Sequence, residues 1–445
     1  VSKTLSSILA LKSIQKSNGE RGANRYIISN NQKAVNVMET FAMFNLCGFD
    51  HNITADIIPL FETITDLTNA ESVMNKLYAN KAYMAHLAQR GHKQTIMLGF
   101  SDGTKDGGYL MANWAIFKAK ENLTKISRAY GIKVIFFDGR GGPPARGGGK
   151  THQFYASLGP SIENKEIQLT IQGQTISSNF GTQDAAQYNI EQLLSAGISN
   201  ELFSNNNHLM TEDDAVIMND LATSSYKAYV DFKNHPKFLP YLERMSTLKY
   251  YAKTNIGSRP SKRSQSKELN FADLRAIPFV GSWSQLKQNV PGFYGVGTAM
   301  KKYEDNEEFH KLIEFYNNSD FFKALIGNSM MSLSKSFFGL TEYMAKDEEF
   351  GDFWNILHEE YKTTKRLILK LTNYKELMQN NPVGKASIDI RENIVLPLLT
   401  IQQYALLKIQ ELQKEGKTDS KLIKVYEKMV TRSLFGNINA SRNSA

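Results

Sequence analysis

The chain has 445 residues, with 53 Lys and Arg against 44 Asp and Glu and a formal net charge of +9. Its hydrophobic fraction of 41% allows a sizeable core, yet no apolar run approaches the roughly 18 residues of a membrane span, so we expect no membrane segment. The single cysteine, Cys47, excludes an internal disulfide and favours a reducing, cytoplasmic compartment, and lysines that are spread along the chain argue against nucleic-acid binding.

Apolar runs and helical patterns alternate in the first part of the chain. Residues 56–61, 95–100 and 133–137 are nearly continuous apolar runs, typical of strands that are buried on both faces. Between them, residues 66–90 and 109–130 have the apolar spacing of helices. Because these crossovers are long, the alternation of strand and helix predicts a parallel sheet.

The flanking segments extend this α/β pattern with a large excess of helix. Residues 22–47 begin with a short apolar run and continue with helical spacing, and residues 167–172 predict a further strand. From about residue 184 onward the chain is mostly helical, interrupted by loops at residues 255–263 and 279–293. Long amphipathic stretches are predicted at residues 213–232, 305–315, 319–344, 349–371, 388–413 and 420–434.

Polar residues follow each of the three buried strands directly. Glu62 follows the first strand, residues 101–108 follow the second, and residues 138–152 follow the third. In parallel α/β folds the active site lies at the carboxyl ends of the strands. We therefore expect these three segments to converge on one site.

Two of these polar residues are carboxylates, Glu62 and Asp102. Two carboxylates at the ends of adjacent parallel strands repel each other unless a positive charge lies between them. A hard divalent cation, Mg²⁺ or Mn²⁺, suits such a pair, since it accepts a few carboxylates and leaves positions for water and substrate oxygens. The alternative is that each acid is the N-cap of the following helix.

The segment after the third strand, FFDGRGGPPARGGGKTH at residues 136–152, contains six glycines and two arginines. Glycine lets backbone N–H groups approach a ligand closely, and arginine offers paired donors to carboxylate or phosphate oxygens. The pattern predicts a grip on a small polyanion, with a mobile surface linker as the alternative. A Walker A loop fits poorly, because Pro144 stands where that motif requires glycine.

Three polar strings resemble phosphoenolpyruvate carboxylases: this loop, GFSDGTKDGG at residues 99–108, and NIGSRPSKR at residues 255–263 with LRAIPF at residues 274–279. They occur in the family's order. The resemblance runs from about residue 22 to the end and corresponds to the C-terminal half of that enzyme. It implies a TIM-like β/α barrel with many surrounding helices, with barrel units at about residues 22–180 and mostly helical structure at about residues 181–445.

The resemblance also implies a reaction and its partners. Phosphoenolpyruvate and bicarbonate would give oxaloacetate and phosphate, through carboxyphosphate and an enolate held by Mg²⁺ or Mn²⁺, without biotin. This is a carboxy-lyase reaction that replenishes the tricarboxylic acid cycle. The implied partners are the N-terminal half of the same enzyme and, in a regulated homotetramer, further copies of it.

Family roles transfer to this sequence residue by residue. Glu62 and Asp102 match the metal ligands, and the arginines matching Arg140 and Arg275 hold the substrate phosphate, together with loop residues Gly141 and Gly142. Arg146 matches a mobile part of the loop over the carboxylating centre. Met97 and Leu60 match residues that line an apolar carbon dioxide pocket. Two further candidate catalytic residues are Arg259, which follows the glycine turn of NIGSRP, and Lys105, which could pair with Asp102, with Asp106 or with a substrate anion. Without the resemblance, Arg259 and Arg275 would be interpreted as solvated ion pairs, and Met97 and Leu60 as plain core.

A separate set matches the family's inhibitory site for aspartate or malate: Lys335, Arg391 and Asn443, together with Arg146. The alternative for Lys335 and Arg391 is an exposed charge on a helix.

Two departures from the family pattern concern the loop region. Asp138 stands where the family's loop has a histidine, and Gln174 ends a QGQ string where the family often has QGE. We interpret both as features of a divergent branch. Two other functions stay open: a different metal-dependent phosphoryl-transfer enzyme, and a basic scaffold that binds nucleic acid.

Overall fold

Five parallel strands form one sheet in the computed structural model, which describes residues 2–49, 52–203, 210–253, 270–417 and 421–441. The strands are β1 (Arg25–Ile28), β2 (Asp56–Phe61), β3 (Lys93–Gly99), β4 (Lys133–Gly139) and β5 (Ile167–Leu169). They are neighbours in chain order, and each adjacent pair is parallel. The predicted parallel α/β sheet is therefore confirmed.

The three central strands are buried on both faces, as their apolar runs predict. Ile58, Phe61 and Leu98 have no exposed surface, and Phe136 is almost fully buried. The two edge strands are shorter, and each of their residues retains some exposed surface. Burial on both faces explains why the central runs are apolar without alternation.

Helices make up most of the remaining chain. Those described are α1 (Ser2–Asn18), α2 (Ala34–Phe44), α3 (Ile64–Tyr78), α4 (Lys81–Gln89), α5 (Phe100–Gly107), α6 (Tyr109–Ala129), α7 (Thr151–Ala156), α8 (Gln174–Phe180), α9 (Gln183–Leu202), α10 (Glu212–Lys233), α11 (Phe238–Met245), α12 (Ala276–Gln285), α13 (Val296–Asp305), α14 (Phe309–Asn318), α15 (Asp320–Ser334), α16 (Gly351–Thr372), α17 (Pro382–Lys414) and α18 (Lys421–Ser441). Within the described residues, none of them combines the length and the apolarity that crossing a membrane requires.

Three predicted helical stretches are interrupted. Residues 66–90 form two helices, because the Asn80 side chain accepts a hydrogen bond from the Tyr83 N–H and begins α4. Residues 305–315 contain the end of α13 and most of α14. Residues 319–344 contain α15 and part of a 3₁₀ segment, Phe338–Lys346. Apolar periodicity continues across short breaks like these, so it does not reveal them.

The fold is a mostly helical α/β arrangement, and the eight-stranded barrel stays a prediction. Consecutive parallel neighbours, as in β1 to β5, are what a β/α barrel requires of each unit. The main hydrophobic core joins residues of β2, β3 and β4 to residues of the helices that pack against them. A second cluster packs Tyr250 and Tyr251 against α17 and α18.

Candidate active site

The two predicted carboxylates lie at the same edge of the sheet. Glu62 directly follows β2, and Asp102 lies in the first turn of α5, which directly follows the neighbouring strand β3. Gly103, next to Asp102, also approaches Glu62: a Cβ added to Gly103 would lie 3.5 Å from the Glu62 carbonyl oxygen. The expected convergence of these two segments is confirmed.

Neither carboxylate is the N-cap of its helix. Thr63 caps α3 by accepting from the Asp66 N–H, while Asp66 accepts from the Thr63 N–H in return. Gly99 is the N-cap of α5, and Asp102 lies three residues further on. The N-cap alternative is therefore wrong for both acids.

The donor set at this edge fits a hard divalent cation. Glu62 is 9% exposed, and its Oε2 accepts from the Asn30 N–H at 3.1 Å. Among the described residues, no group of three or more His, Cys, Asp or Glu side chains is placed to hold a metal. Two carboxylates with room for water and substrate oxygens are the set that Mg²⁺ usually takes from a protein.

The glycine–arginine loop is folded on itself. The Gly141 N–H donates to the Arg146 carbonyl at 2.6 Å, and the Gly148 N–H donates to the Pro143 carbonyl at 2.9 Å. Gly147 has a φ of 79°, and a Cβ there would lie 2.6 Å from the Phe100 side chain. Residues 143–148 are buried. This closed and buried loop does not fit the linker alternative.

Arg146, the second arginine of the loop, is buried and forms hydrogen bonds to two other segments. Its Nε donates to Ser101 Oγ at 3.2 Å, and its Nη2 donates to Gln172 Oε1 at 2.6 Å. Burial lowers the pKa of Arg146 to about 10, and the negative charge of Asp102 opposes that shift. Arg146 therefore lies within the field of a predicted metal ligand.

Arg140 is 4% exposed and lies among aromatic rings. Its guanidinium carbon is 4.4 Å from the Phe154 ring centroid and 5.2 Å from that of Phe100. Two of its nitrogens, Nε and Nη1, are buried without a hydrogen-bond partner. Since buried donors are nearly always paired, this cation presents two donors that an anionic ligand could satisfy.

Asp138 is fully buried and ion-paired. Lys120 Nζ lies 2.6 Å from Asp138 Oδ2, and the Tyr155 hydroxyl donates to the same oxygen. Burial lowers the pKa of Lys120, and Asp138 opposes that shift. Burial, together with Asp138, raises the pKa of the Tyr155 hydroxyl. The acid that replaces the family's loop histidine thus forms part of a buried charge network.

Helix α12 brings Arg275 to this region. Arg275 is the N-cap residue of α12, and α12 packs against both α5 and the loop segment Pro144–Arg146. Lys105 Nζ lies 4.7 Å from the Phe271 ring centroid, just before α12. Asp106 accepts from the Ile64 N–H at 3.0 Å and pairs with Lys233 at 3.3 Å.

The two residues matched to the apolar pocket are paired on adjacent strands. Leu60 and Met97 are register partners on β2 and β3. A Cβ added to Gly139 would lie 3.1 Å from the Met97 Cε, so Met97 also borders the start of the loop.

The structure gathers part of the predicted inhibitory site in one cavity. Lys335 and Arg391 line it, together with Lys287, Glu392 and loop residues Pro143–Ala145. Burial, with the positive charges of Lys287 and Arg391, lowers the pKa of Lys335 to about 8. Arg146 is not among the lining residues described. Two further predicted residues, Arg259 and Asn443, lie outside the described residues.

Sequence reasoning missed the partners of the loop's charged residues. Lys120 and Tyr155 hold Asp138, and Ser101 and Gln172 hold Arg146. One signal was present for Lys120: it follows Ile116 by four residues, which places it on the apolar face of its helix.

A parallel α/β sheet with two carboxylates and two buried arginines at its carboxyl edge is typical of enzymes that act on small phosphorylated substrates. Over residues 1–441, the sequence matches the protein-family model for phosphoenolpyruvate carboxylase. The chain therefore belongs to the phosphoenolpyruvate carboxylase family, whose members are carboxy-lyases that use phosphoenolpyruvate and bicarbonate.

Proposed function

We propose that this chain carries the phosphate-binding and metal-binding part of a working phosphoenolpyruvate carboxylase. The observation that carries the proposal is Arg140, a buried cation with two unpartnered donors beside the glycine loop. It lies on the loop that follows β4, and the carboxylates Glu62 and Asp102 follow β2 and β3 in the same sheet. A phosphorylated carboxylic acid suits this combination of charges.

In the first step, a bicarbonate oxygen attacks the substrate phosphorus, and the bond from phosphorus to the enol oxygen breaks. The products are carboxyphosphate and the enolate of pyruvate. Arg140 and Arg275 hold the phosphoryl oxygens throughout the transfer and so stabilise their charge without reorganisation. Glu62 and Asp102 would hold Mg²⁺ or Mn²⁺, which neutralises charge on the enolate oxygen when it is bound.

In the second step, carboxyphosphate breaks into carbon dioxide and phosphate, and the enolate carbon attacks carbon dioxide to give oxaloacetate. The bicarbonate proton ends on the released phosphate. Met97 and Leu60 would offer an apolar surface to carbon dioxide, while Lys105 and Arg259 would add positive charge. The loop, with Arg146 inside it, would exclude water, which otherwise hydrolyses carboxyphosphate and protonates the enolate.

We further propose the finer features that the family implies. The five strands would belong to a closed barrel, and the N-terminal half of the enzyme would complete the active site in a cytoplasmic homotetramer. The cavity with Lys335 and Arg391 would take an inhibitory dicarboxylate, aided by Asn443. The positive charges that line this cavity support an anionic effector.

Carbon incorporation tests the function directly. The complete enzyme is incubated with phosphoenolpyruvate, Mn²⁺ and labelled bicarbonate, and labelled oxaloacetate is trapped by reduction to malate. We expect one label incorporated for each phosphate released. Phosphate release without incorporation would indicate a different phosphoryl-transfer enzyme. If neither occurs, and nucleic acid binds with a steep dependence on salt, the scaffold alternative is favoured.

A further inference from the structure

The acid at position 138 lies close to the arginine that we propose for phosphate. The Tyr155 hydroxyl donates to Asp138 Oδ2, and the positive charge of Arg140 opposes the rise in the pKa of that same hydroxyl. Asp138 and Arg140 are therefore both next to Tyr155, Asp138 at its hydroxyl and Arg140 at its ring. Without a counter-ion, the Asp138 carboxylate would offset the positive charge of Arg140 and would repel a bound phosphate. Both effects are strongest in a buried site.

Lys120 removes this conflict. It reaches Asp138 from α6, and its side chain is 1% exposed. The ammonium lies 2.6 Å from Asp138 Oδ2 and is surrounded by the rings of Phe136, Phe154 and Tyr155, at 5.1 to 5.6 Å from their centroids. This packing fixes the lysine, so its charge stays next to the carboxylate.

We propose that Lys120 is a positioning residue for anion binding, because its ammonium neutralises Asp138 and leaves Arg140 with its full charge for a phosphate group. The inference rests on the proposed function and names a residue that the family resemblance does not supply. Lys120, Asp138 and Arg140 together carry one net positive charge, and without Lys120 they carry none. An acid in place of the loop histidine is then compatible with phosphate binding, because the ammonium of Lys120 neutralises it.

The role of Tyr155 follows from the same network. Its hydroxyl donates to Asp138 Oδ2, and its ring is 5.6 Å from the Arg140 guanidinium carbon. Its carbonyl accepts from Asn200 Nδ2 at 2.8 Å, which ties this part of α7 to α9. The ion pair and the Arg140 guanidinium thus lie against the same tyrosine.

Binding of inorganic phosphate to the complete enzyme, measured by calorimetry, tests the proposal without requiring carboxylation. Lys120→Met keeps the length of the side chain and removes its charge, so phosphate affinity should fall about tenfold or more. Lys120→Met combined with Asp138→Asn removes both charges, and affinity should return to within about threefold of the wild-type value. Asp138→Asn alone leaves two positive charges, so its phosphate affinity should equal or exceed the wild-type value.

Steady-state kinetics supply a second readout. The KM for phosphoenolpyruvate should rise in Lys120→Met and fall again in the double variant, while kcat changes less. A merely structural lysine would lower the thermal stability of both variants and would give no such recovery. The double variant leaves no unpaired charge, so it keeps the test informative even where Lys120→Met folds poorly.

The ion pair between Arg90 and Asp56, at 2.7 Å, is the matched control, because Asp56 begins β2 at the opposite edge of the sheet. Arg90→Met should leave phosphate affinity unchanged. The proposal is overturned if Lys120→Met binds phosphate as the wild type does, if the double variant binds no better than the single variant, or if the wild type binds no phosphate. If carbon incorporation fails while this binding pattern holds, the carboxylase function is wrong and the role of Lys120 stands.

Discussion

Gly99 lies directly against Glu62, so closely that a Cβ on Gly99 would be 3.2 Å from the Glu62 Cα and 3.4 Å from its Cγ. Gly99 is also the N-cap residue of α5, the helix that carries Asp102. This close approach brings the start of the helix that carries Asp102 against Glu62 at one edge of the sheet.

We predict that Glu62 and Asp102 bind one divalent cation. Asp102→Asn should lower the Mn²⁺ affinity of the complete enzyme at least tenfold, or roughly 1.4 kcal/mol, because one anionic ligand is lost. Paramagnetic resonance of free Mn²⁺ during a titration measures this. Asp56→Asn, at the far edge of the sheet, is the control. Unchanged Mn²⁺ binding in both Asp102→Asn and Glu62→Gln would exclude the shared site.

Arg140 and Arg275 should each contribute to phosphate transfer. Alanine at either position removes a charge-assisted donor pair, and kcat/KM for phosphoenolpyruvate should drop about 30-fold or more. Arg128→Ala is the control, since Arg128 is 54% exposed and pairs with Glu163 on the surface. A decrease below about threefold in both arginine variants would show that these arginines are structural.

The pKa of Lys335 predicts a pH-dependent inhibition. Burial and two neighbouring cations lower this pKa to about 8, so the lysine loses its charge as the pH rises through that value. Inhibition by aspartate or malate should then weaken above about pH 8. Lys335→Ala should weaken it at least tenfold at neutral pH with little change in kcat. Lys311→Ala, on the surface of α14, is the control. Inhibition of Lys335→Ala at wild-type strength would refute the assignment.

His86 should make the fold sensitive to acid. It is 4% exposed, and burial lowers its pKa from 6.5 to about 4. Between these values the unfolded chain binds a proton that the folded chain does not, so the free energy of unfolding falls as the pH drops from about 6.5 towards 4. The loss should reach up to about 3 kcal/mol.

Urea unfolding across this pH range checks the prediction for His86. His86→Phe should flatten the pH dependence, since a neutral ring remains against Phe41 and Tyr83. His310→Phe, at an exposed position on α14, should retain the wild-type slope. Equal slopes in the wild type and in His86→Phe would locate the acid sensitivity elsewhere.

Residues 1–445 alone should bind ligands at part of the site and should not carboxylate. On the proposed division of the site, the N-terminal half supplies the group that handles the bicarbonate proton. Asp138 is not free to take this role, because it is paired with Lys120 at 2.6 Å. Oxaloacetate formation should appear only when the N-terminal half is added. Turnover near 10 per second, roughly an ordinary enzyme rate, by this chain alone would contradict the split site.

Sequence patterns predicted the parts of the molecule whose physical requirements are local. A strand covered on both faces must be apolar throughout, so β2, β3 and β4 were evident, and so were the polar residues that follow them. The break at Asn80 was missed because a cap is one side-chain hydrogen bond and leaves the apolar pattern intact. The tertiary partner of Asp138 was missed. The spacing from Ile116 places Lys120 on the apolar face of its helix, but helical spacing does not show which residue of the sheet a side chain on that face reaches.

Two glycines of the loop leave no space for a side chain, because Arg146 and the loop backbone pack directly against them. This packing restricts which amino-acid substitutions the loop can accept. A Cβ on Gly141 would lie 2.7 Å from the Arg146 Cζ, and one on Gly148 would meet the Gly142 backbone. A single replacement at either glycine therefore displaces a neighbour before any ligand is involved. Single substitutions at these two positions should therefore be rare in sequences that descend from this one. We expect such sequences to keep both glycines and the arginine, or to change them together.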